Sequence, residues 1–260
     1  MKLKENKFST HTLVLIGMFA ALCYVALIFK IPIPSPVGKP FLHMGNMFVI
    51  LAALLFSGPI GGLSGSLGMG LFDLMNGYAS SVPKTLILKF GIGAVTGIVA
   101  SKGHKKNAKS PIKFIGLASA LFLILGISLF ILSYKLGFEI KISGFEKSLV
   151  ISPLLYTFCI IIGLGLAVAC FAAKKLSIEI QYAVLGAVCG IVFNLVGEFL
   201  FKAITLTLAG SDLTSALISS SLNLPATLIN GCFSILVAII LYIPISKALC
   251  RTTLYKSFQR

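Results

Sequence analysis

The sequence predicts an all-α integral membrane protein, a helical bundle of about eight transmembrane helices. Three observations lead there. The 260 residues are 57% hydrophobic and only 11% charged, with a mean hydropathy of +1.03; soluble domains run at about 45–50% apolar and about 25% charged. The apolar residues fall in membrane-length runs separated by turn signals such as Ser57-Gly58-Pro59 and the stretch 77–83. Inside those runs stand His43, Asn46, Asp73, Asn76, Lys84 and Lys89. A charge at the centre of a membrane helix costs roughly 2.5–3.5 kcal/mol on insertion scales, so such residues face a bundle interior or a wet cavity. The stretch 41–97 therefore reads as the wall of a polar pocket.

The first span is expected over about 12–29. Lys2, Lys4 and Lys7 precede it in the manner of a signal peptide, but no small-residue cleavage site follows, and Leu22 is too large for the position before a lipid-modified Cys23. The span is expected to stay in the mature protein. Four prolines, Pro32, Pro34, Pro36 and Pro40, then make a stiff extended loop that lipid cannot accommodate, because its backbone groups would lack partners. Spans two, three and four cover about 41–56, 60–78 and 85–100. A basic loop follows, then spans at about 114–134, 150–173, 182–208 and 224–245, each long enough for a bilayer that needs about 20 residues.

Charge sets the orientation. Segments 1–11, 57–59, 101–113, 174–181 and 247–260 hold most of the Lys and Arg, while 30–40, 79–84, 135–148 and 209–223 hold fewer, with most of the loop acids. The positive-inside rule puts both termini in the cytoplasm of a multi-pass plasma-membrane protein. The net charge of +15 is then explained by topology and contact with anionic lipid, with no nucleic-acid partner. The six cysteines, Cys23, Cys159, Cys170, Cys189, Cys232 and Cys250, show no metal-like spacing and read as small buried hydrophobes. No metal and no cofactor is expected.

Glycines concentrate in the third span, at Gly58, Gly61, Gly62, Gly65, Gly68, Gly70 and Gly77, and recur in the fourth at Gly91, Gly93 and Gly97. Small faces of this kind let helix backbones approach closely in lipid. Gly17 and Ala21 form a further small pair in the first span.

The order of these features resembles the substrate-binding S component of energy-coupling factor (ECF) vitamin transporters of bacteria. Gly45-Asn46 matches the Gly-Asn before the family's second helix, Gly58-Pro59 its Gly-Pro turn, and Asp73 with Gly77-Tyr78 the end of its third helix. Pro83, Thr85 and Lys89 match in kind the opening of its fourth helix; the segment from Asn223 through Thr227 to Asn230 resembles that of its last. The resemblance covers about 11–100 and 182–248. It implies a six-helix S-component-like core within a single membrane domain, with 114–173 as an inserted helical hairpin. It also implies a small, water-soluble vitamin or precursor as ligand, captured at the outer face. Gly17 and Ala21 would face a transmembrane coupling subunit driven by two ATPase subunits. The chain has no G-x-x-x-x-G-K-[ST] phosphate loop, so ATP hydrolysis falls to those partners.

The expected substrate-binding residues are His43, Asn46, Asp73, Asn76, Tyr78, Lys89, Asn194, Glu198, Asn223 and Asn230. Asp73 lies about 7 Å below the outer end of span three and Lys89 a similar distance inside span four. They either orient a ligand or form a structural ion pair. Glu198 and Lys202 stand at i, i+4, a spacing that allows a pair on one helix face. Asn223, Thr227 and Asn230 share a face, with helix–helix hydrogen bonding as the alternative to a pocket role. Lys84 reads as a snorkelling topology residue. Phe41, Phe72, Tyr78 and Phe193 could stack on a flat ring or simply pack. An acid, bases, amides and aromatics together suit a small, flat, polar molecule such as a pyrimidine, pyridine or flavin vitamin.

Two other classes compete. Gly62-Leu63-Ser64-Gly65 has the form of an intramembrane serine protease motif, but of the three histidines His43 is expected near the outer face, far from Ser64 at the inner end of its span, and His11 and His104 lie in or beside charged inner segments and would have to fold into the membrane to reach it. An autonomous secondary transporter would carry a repeated half with paired broken helices, and no repeat relates 1–130 to 131–260.

Overall fold

The computed structural model describes residues 9–32, 41–136, 139–140, 149–150 and 153–249. The prolines between 33 and 40, the basic tail and Cys250 lie outside the described residues. The fold is helical: α1 (Thr10–Ile28), α2 (Gly45–Leu55), α3 (Gly58–Met75), α4 (Val82–Ala100), α5 (Ile112–Leu136), α6 (Pro153–Ala173), α7 (Ile178–Leu208), α8 (Leu213–Ser221) and α9 (Leu224–Leu249). Two antiparallel pairs of two-residue strands join them, β1 (Ile31–Pro32) with β2 (Phe41–Leu42), and β3 (Glu139–Ile140) with β4 (Leu149–Val150). Each expected span contains one of these helices. Among the described residues five helical stretches are long and apolar enough to cross a membrane: Thr10–Ile28, Ala79–His104, Ile112–Lys135, Ile178–Leu208 and Leu213–Leu249.

Two helices differ from expectation. α2 has 11 residues, a rise of about 16 Å, or half of the roughly 30 Å hydrocarbon layer. Its whole length from Val49 to Leu55 is buried, so it is a core element rather than a lipid-facing span. α8 lies where an outer loop was expected. Asp212 caps it, accepting from the Thr214 amide at 3.0 Å, which satisfies one of the open amides of a helix start.

The chain forms two compact units, one built from residues up to Lys106 and from Tyr182 onward, the other from Asn107–Gln181. In the first, α3 and α4 pack in antiparallel fashion, backbone on backbone. A side chain on Gly58 would meet the Ala94 carbonyl at 3.0 Å, one on Gly62 the Phe90 carbonyl at 2.7 Å, and one on Gly93 or Gly97 would strike the backbone of Gly62 or Gly58. Ser66 locks the register by donating to the Leu86 carbonyl at 2.7 Å. Gly61 lies against the backbone of α2, at Val49 and Ala53, and Gly68 against Ala20 of α1. Phe19, Cys23 and Leu27 of α1 join Val49, Ile50, Met69, Phe72, Ile92, Ala187 and Tyr242 in one buried cluster.

Gly77 ends α3 at φ +83. That left-handed conformation suits glycine, and it lets the Tyr78 amide reach back to the Asp73 carbonyl at 2.8 Å, a Schellman-type stop. Gly210 does the same after α7 at φ +93, with Ser211 bonded to the Leu206 carbonyl and Gly210 to that of Thr207, both at 3.0 Å. In the second unit α5 and α6 are also antiparallel. Gly126 faces Ile160 and Gly163 faces Leu123, Ser119 donates to the Gly163 carbonyl at 2.8 Å, and Phe130 meets Tyr156 edge to face at 5.4 Å.

Candidate functional site

A cavity of about 410 Å³ opens within the first unit, lined by residues of α1 to α4, α7 and α9 and by the segments before α2 and between α3 and α4. Small-molecule sites commonly run from about 300 to 1,000 Å³. His43, Asn46, Asp73, Tyr78, Lys89, Asn194, Glu198, Asn223 and Asn230 all line it. Nine of the ten expected site residues thus converge from sequence positions as far apart as 43 and 230. Asn76 stands apart: it is exposed and folds back onto its own helix, Nδ2 donating to the Phe72 carbonyl at 2.9 Å.

Burial grades the cavity from a dry floor to a wetter rim. At the floor Asn46 is 3% exposed, Lys89 6% and Asn194 2%. Lys89 Nζ donates to Asn194 Oδ1 at 3.0 Å, tying α4 to α7. Asn230 accepts from the His43 amide at 3.4 Å, while His43 Nδ1 accepts from the Gly45 amide at 3.1 Å, so the start of α2 is held against α9. Toward the rim, Asp73 and Ser81 are half-buried and Tyr78 is exposed. Thr227 donates to the Asn223 carbonyl at 3.2 Å.

The pairing of charges departs from the local rules. Glu198 Oε2 takes Lys84 of α4 at 2.9 Å, whereas Lys202, the i+4 neighbour, donates to the Ser219 carbonyl at 3.0 Å. Lys84 is therefore a cavity residue rather than a snorkelling one. Asp73 and Lys89 form no ion pair among the described residues; Asp73 Oδ2 instead accepts from Thr85 Oγ1 at 2.5 Å. The Thr85 hydroxyl, in the first turn of α4, reaches the carboxylate, while the Lys89 ammonium is committed to Asn194 of α7.

Lys84, Thr85, Ser81, Leu27, Met69, Thr227 and Ala226 complete the lining. Lys84 and Thr85 carried a readable signal, being polar at the mouth of an apolar helix. Leu27 and Met69 carried none. Of the aromatics, Tyr78 lines the cavity, Phe72 packs edge to face on Tyr24 at 5.5 Å, Phe193 packs against Gly91, and the side chain of Phe41 lies outside the described residues. Ser64 is fully buried, its hydroxyl directed to the carbonyls of Ile60 at 2.7 Å and Ile16 at 3.2 Å; it serves the packing of α3 on α1.

A helical bundle that closes such a cavity around amides, two acids and two lysines offers a polar site of small-molecule size. The family model for the ECF-type riboflavin transporter, S component, matches residues 7–149, over half of the chain. The chain belongs to that family, a family of transporter components. The matched residues include His43, Asn46, Asp73, Tyr78 and Lys89; Asn194, Glu198, Asn223 and Asn230 lie beyond them. The chain is also similar to a Pyrococcus woesei protein described as "Uncharacterized protein in gap 3'region", 34% identical over 77 residues. Those residues are 30% of this chain and 50% of that protein, so the chain spans about half the length of the curated relative it matches. No solved structure matches.

Proposed function

We propose that this subunit captures a flat heterocyclic vitamin from the outer face, riboflavin being the first candidate from the family description, and passes it inward by docking on a transmembrane subunit driven by two ATPases. What carries the reading is the 410 Å³ cavity with its polar floor, of a size for one vitamin. Its lining offers donors and acceptors to ring edges and hydroxyls, and Tyr78 a face to stack on. Mass spectrometry of ligand released from purified protein, with titration of riboflavin, tests it. Recovery of riboflavin or of another flat polar vitamin at one per chain is expected. Protein that carries no such molecule and binds none would sink the proposal.

The outer-face reading rests on the charge distribution. Lys102, Lys105, Lys106, Lys109 and Lys113 follow α4, and Lys174 and Lys175 follow α6, which supports a cytoplasmic N-terminus and C-terminus in a bacterial-type plasma membrane. In a cysteine-free background, a cysteine placed at Ala108 should resist a membrane-impermeant thiol reagent and one placed at Gly210 should react. The reverse pattern overturns the orientation. Segment 114–173 is read as an insertion in the core, a reading supported by its contacts forming a unit of their own.

Docking is assigned to Gly17 and Ala21. Both are exposed on α1, and a side chain on Gly17 would meet nothing within 4 Å, while Phe19, Cys23 and Leu27 on other faces are buried. A shallow groove of small residues admits a partner helix closely. Gly17→Leu together with Ala21→Leu should leave ligand affinity unchanged and reduce ATP-driven uptake by roughly tenfold or more, a coupling loss of about 1.4 kcal/mol or above. Uptake that survives the double substitution, or that persists in cells without the ATPase subunits, favours an autonomous transporter.

A further inference from the structure

α8 is nine residues long, a length at which an isolated helix is marginal. It hands over to α9 through Leu222 and Asn223 alone. Pro225 has no amide proton to offer the last turn of α8, so the hydrogen-bond ladder is interrupted here. Most carbonyls of that turn find donors close by in sequence. Ala216 accepts from the Ser220 hydroxyl and Ile218 from the Ser221 hydroxyl, both at 2.7 Å. The Leu222 amide also reaches the Ile218 carbonyl, at 3.2 Å. In a continuous helix the Asn223 amide would serve Ser219; here it turns to Ser220, at 3.4 Å. The Ser219 carbonyl takes Lys202 Nζ of α7 at 3.0 Å. A lysine suits a helix C-terminus twice over, as donor to an open carbonyl and as a positive charge at the negative end of the dipole. At the other end of α8, Asp212 supplies the negative charge and the N-cap.

The far side of the interruption is the cavity. The Asn223 carbonyl opens α9, accepting from the Thr227 amide at 3.1 Å and from its hydroxyl at 3.2 Å, and Asn223, Ala226 and Thr227 are lining residues. Lys202 is not among the described lining residues. Asn194 and Glu198 are, and with Lys202 they follow at four-residue steps along α7, on one face. We propose that Lys202 is a positioning residue for substrate binding. By bonding the last turn of α8 it fixes the α8–α9 junction, and through it the place of Asn223 and Thr227 at the cavity edge, against the α7 wall. The binding consequence rests on the small-molecule reading above; the consequence for α8 does not.

The test compares Lys202→Met and Lys202→Arg with the wild type, as full chains in detergent, by two measurements. Hydrogen–deuterium exchange needs no ligand. In Lys202→Met the amides of 213–222 should exchange at least about fivefold faster, those of α3 and α4 should not change, and Lys202→Arg should restore protection. Titration with riboflavin comes second. Lys202→Met should bind about tenfold more weakly, the scale of one lost hydrogen bond to a charged group, and Lys202→Arg within about threefold of the wild type. In an Asn223→Ala background the Lys202→Met penalty should drop below about threefold, because the residue being positioned is gone. Unchanged exchange over 213–222 overturns the inference. So does faster exchange throughout the chain, which would make Lys202 a support of the whole fold, and so does a binding penalty that is the same with and without Asn223. If riboflavin does not bind the wild type, the vitamin reading falls and the exchange measurement alone decides for or against Lys202. Where Lys202→Met fails to fold, Lys202→Gln takes its place under the same criteria.

Discussion

Lys89→Met should separate stability from binding, raising the first and lowering the second. The Lys89 side chain sits at 6% exposure with an amide oxygen as its hydrogen-bond partner and no carboxylate in contact among the described residues. Holding an ion so poorly compensated costs several kcal/mol. Methionine has nearly the same reach and removes that cost, at the lesser expense of leaving Asn194 Oδ1 without its donor, about 1–3 kcal/mol. The ligand-free variant is therefore expected to melt at a higher temperature than the wild type in the same detergent. Ligand affinity should fall by roughly ten- to a hundredfold, the equivalent of a hydrogen bond to a charged group at about 1.5–3 kcal/mol. A variant that melts earlier and binds as before would make Lys89 a structural tie between α4 and α7 instead. Loss of stability held in reserve for function is a common trade at binding sites.

Gly93→Leu should prevent folding altogether. The backbones of α3 and α4 touch at Gly93 and Gly62 and again at Gly97 and Gly58. Overpacking a core usually costs about 1–3 kcal/mol because side chains can shift; here the obstacle is main chain, which cannot. Spreading the helices also breaks the Ser66–Leu86 and Thr85–Asp73 hydrogen bonds. Size-exclusion profiles of detergent extracts should show aggregate for Gly93→Leu and a destabilised monodisperse peak for Gly93→Ala. Gly165 on α6 supplies the control. A side chain there meets nothing within 4 Å, so Gly165→Ala should be neutral or stabilising by up to about 1 kcal/mol, the helix-propensity difference. A monodisperse, ligand-binding Gly93→Leu protein would show that the α3–α4 contact is dispensable.

Much of this was legible in the sequence because it depends on near neighbours. Hydropathy located each long helix, the glycine spacing announced the close α3–α4 approach, and Gly58-Pro59 and Gly77 marked their ends. Polar residues at membrane depth pointed to a cavity, and most of them line one. What could not be read depends on distance along the chain. Glu198 has a well-spaced lysine at Lys202, and a local rule prefers it; the fold supplies Lys84, 114 positions away. Residue counting puts Asp73 and Lys89 at matching depths, yet depth alone does not say which face each presents, and Thr85 takes the carboxylate. α8 escaped notice because LTSALISSS is short and rich in serine and threonine, a composition shared with loops. α2 looked like a span because its flanking residues are apolar; its 11-residue length is set by β2 before it and the Ser57-Gly58 turn after it.

The glycine contact between α3 and α4 also bears on the thermodynamics of capture. Where main chain meets main chain there are no rotamers to freeze, so the wall that carries Asp73, Thr85 and Lys89 is preorganised, and a ligand meeting it loses little conformational entropy to order it. The parts of the wall on α7 and α9 are held by side chains: the Lys84–Glu198 pair, the Lys89–Asn194 bond and the Asn230 contact with the His43 amide. Those bonds can exchange for ligand contacts one at a time. Adaptation to the bound molecule, and with it the enthalpy–entropy balance of binding, is thereby assigned to α7 and α9, while α3 and α4 act as the fixed template.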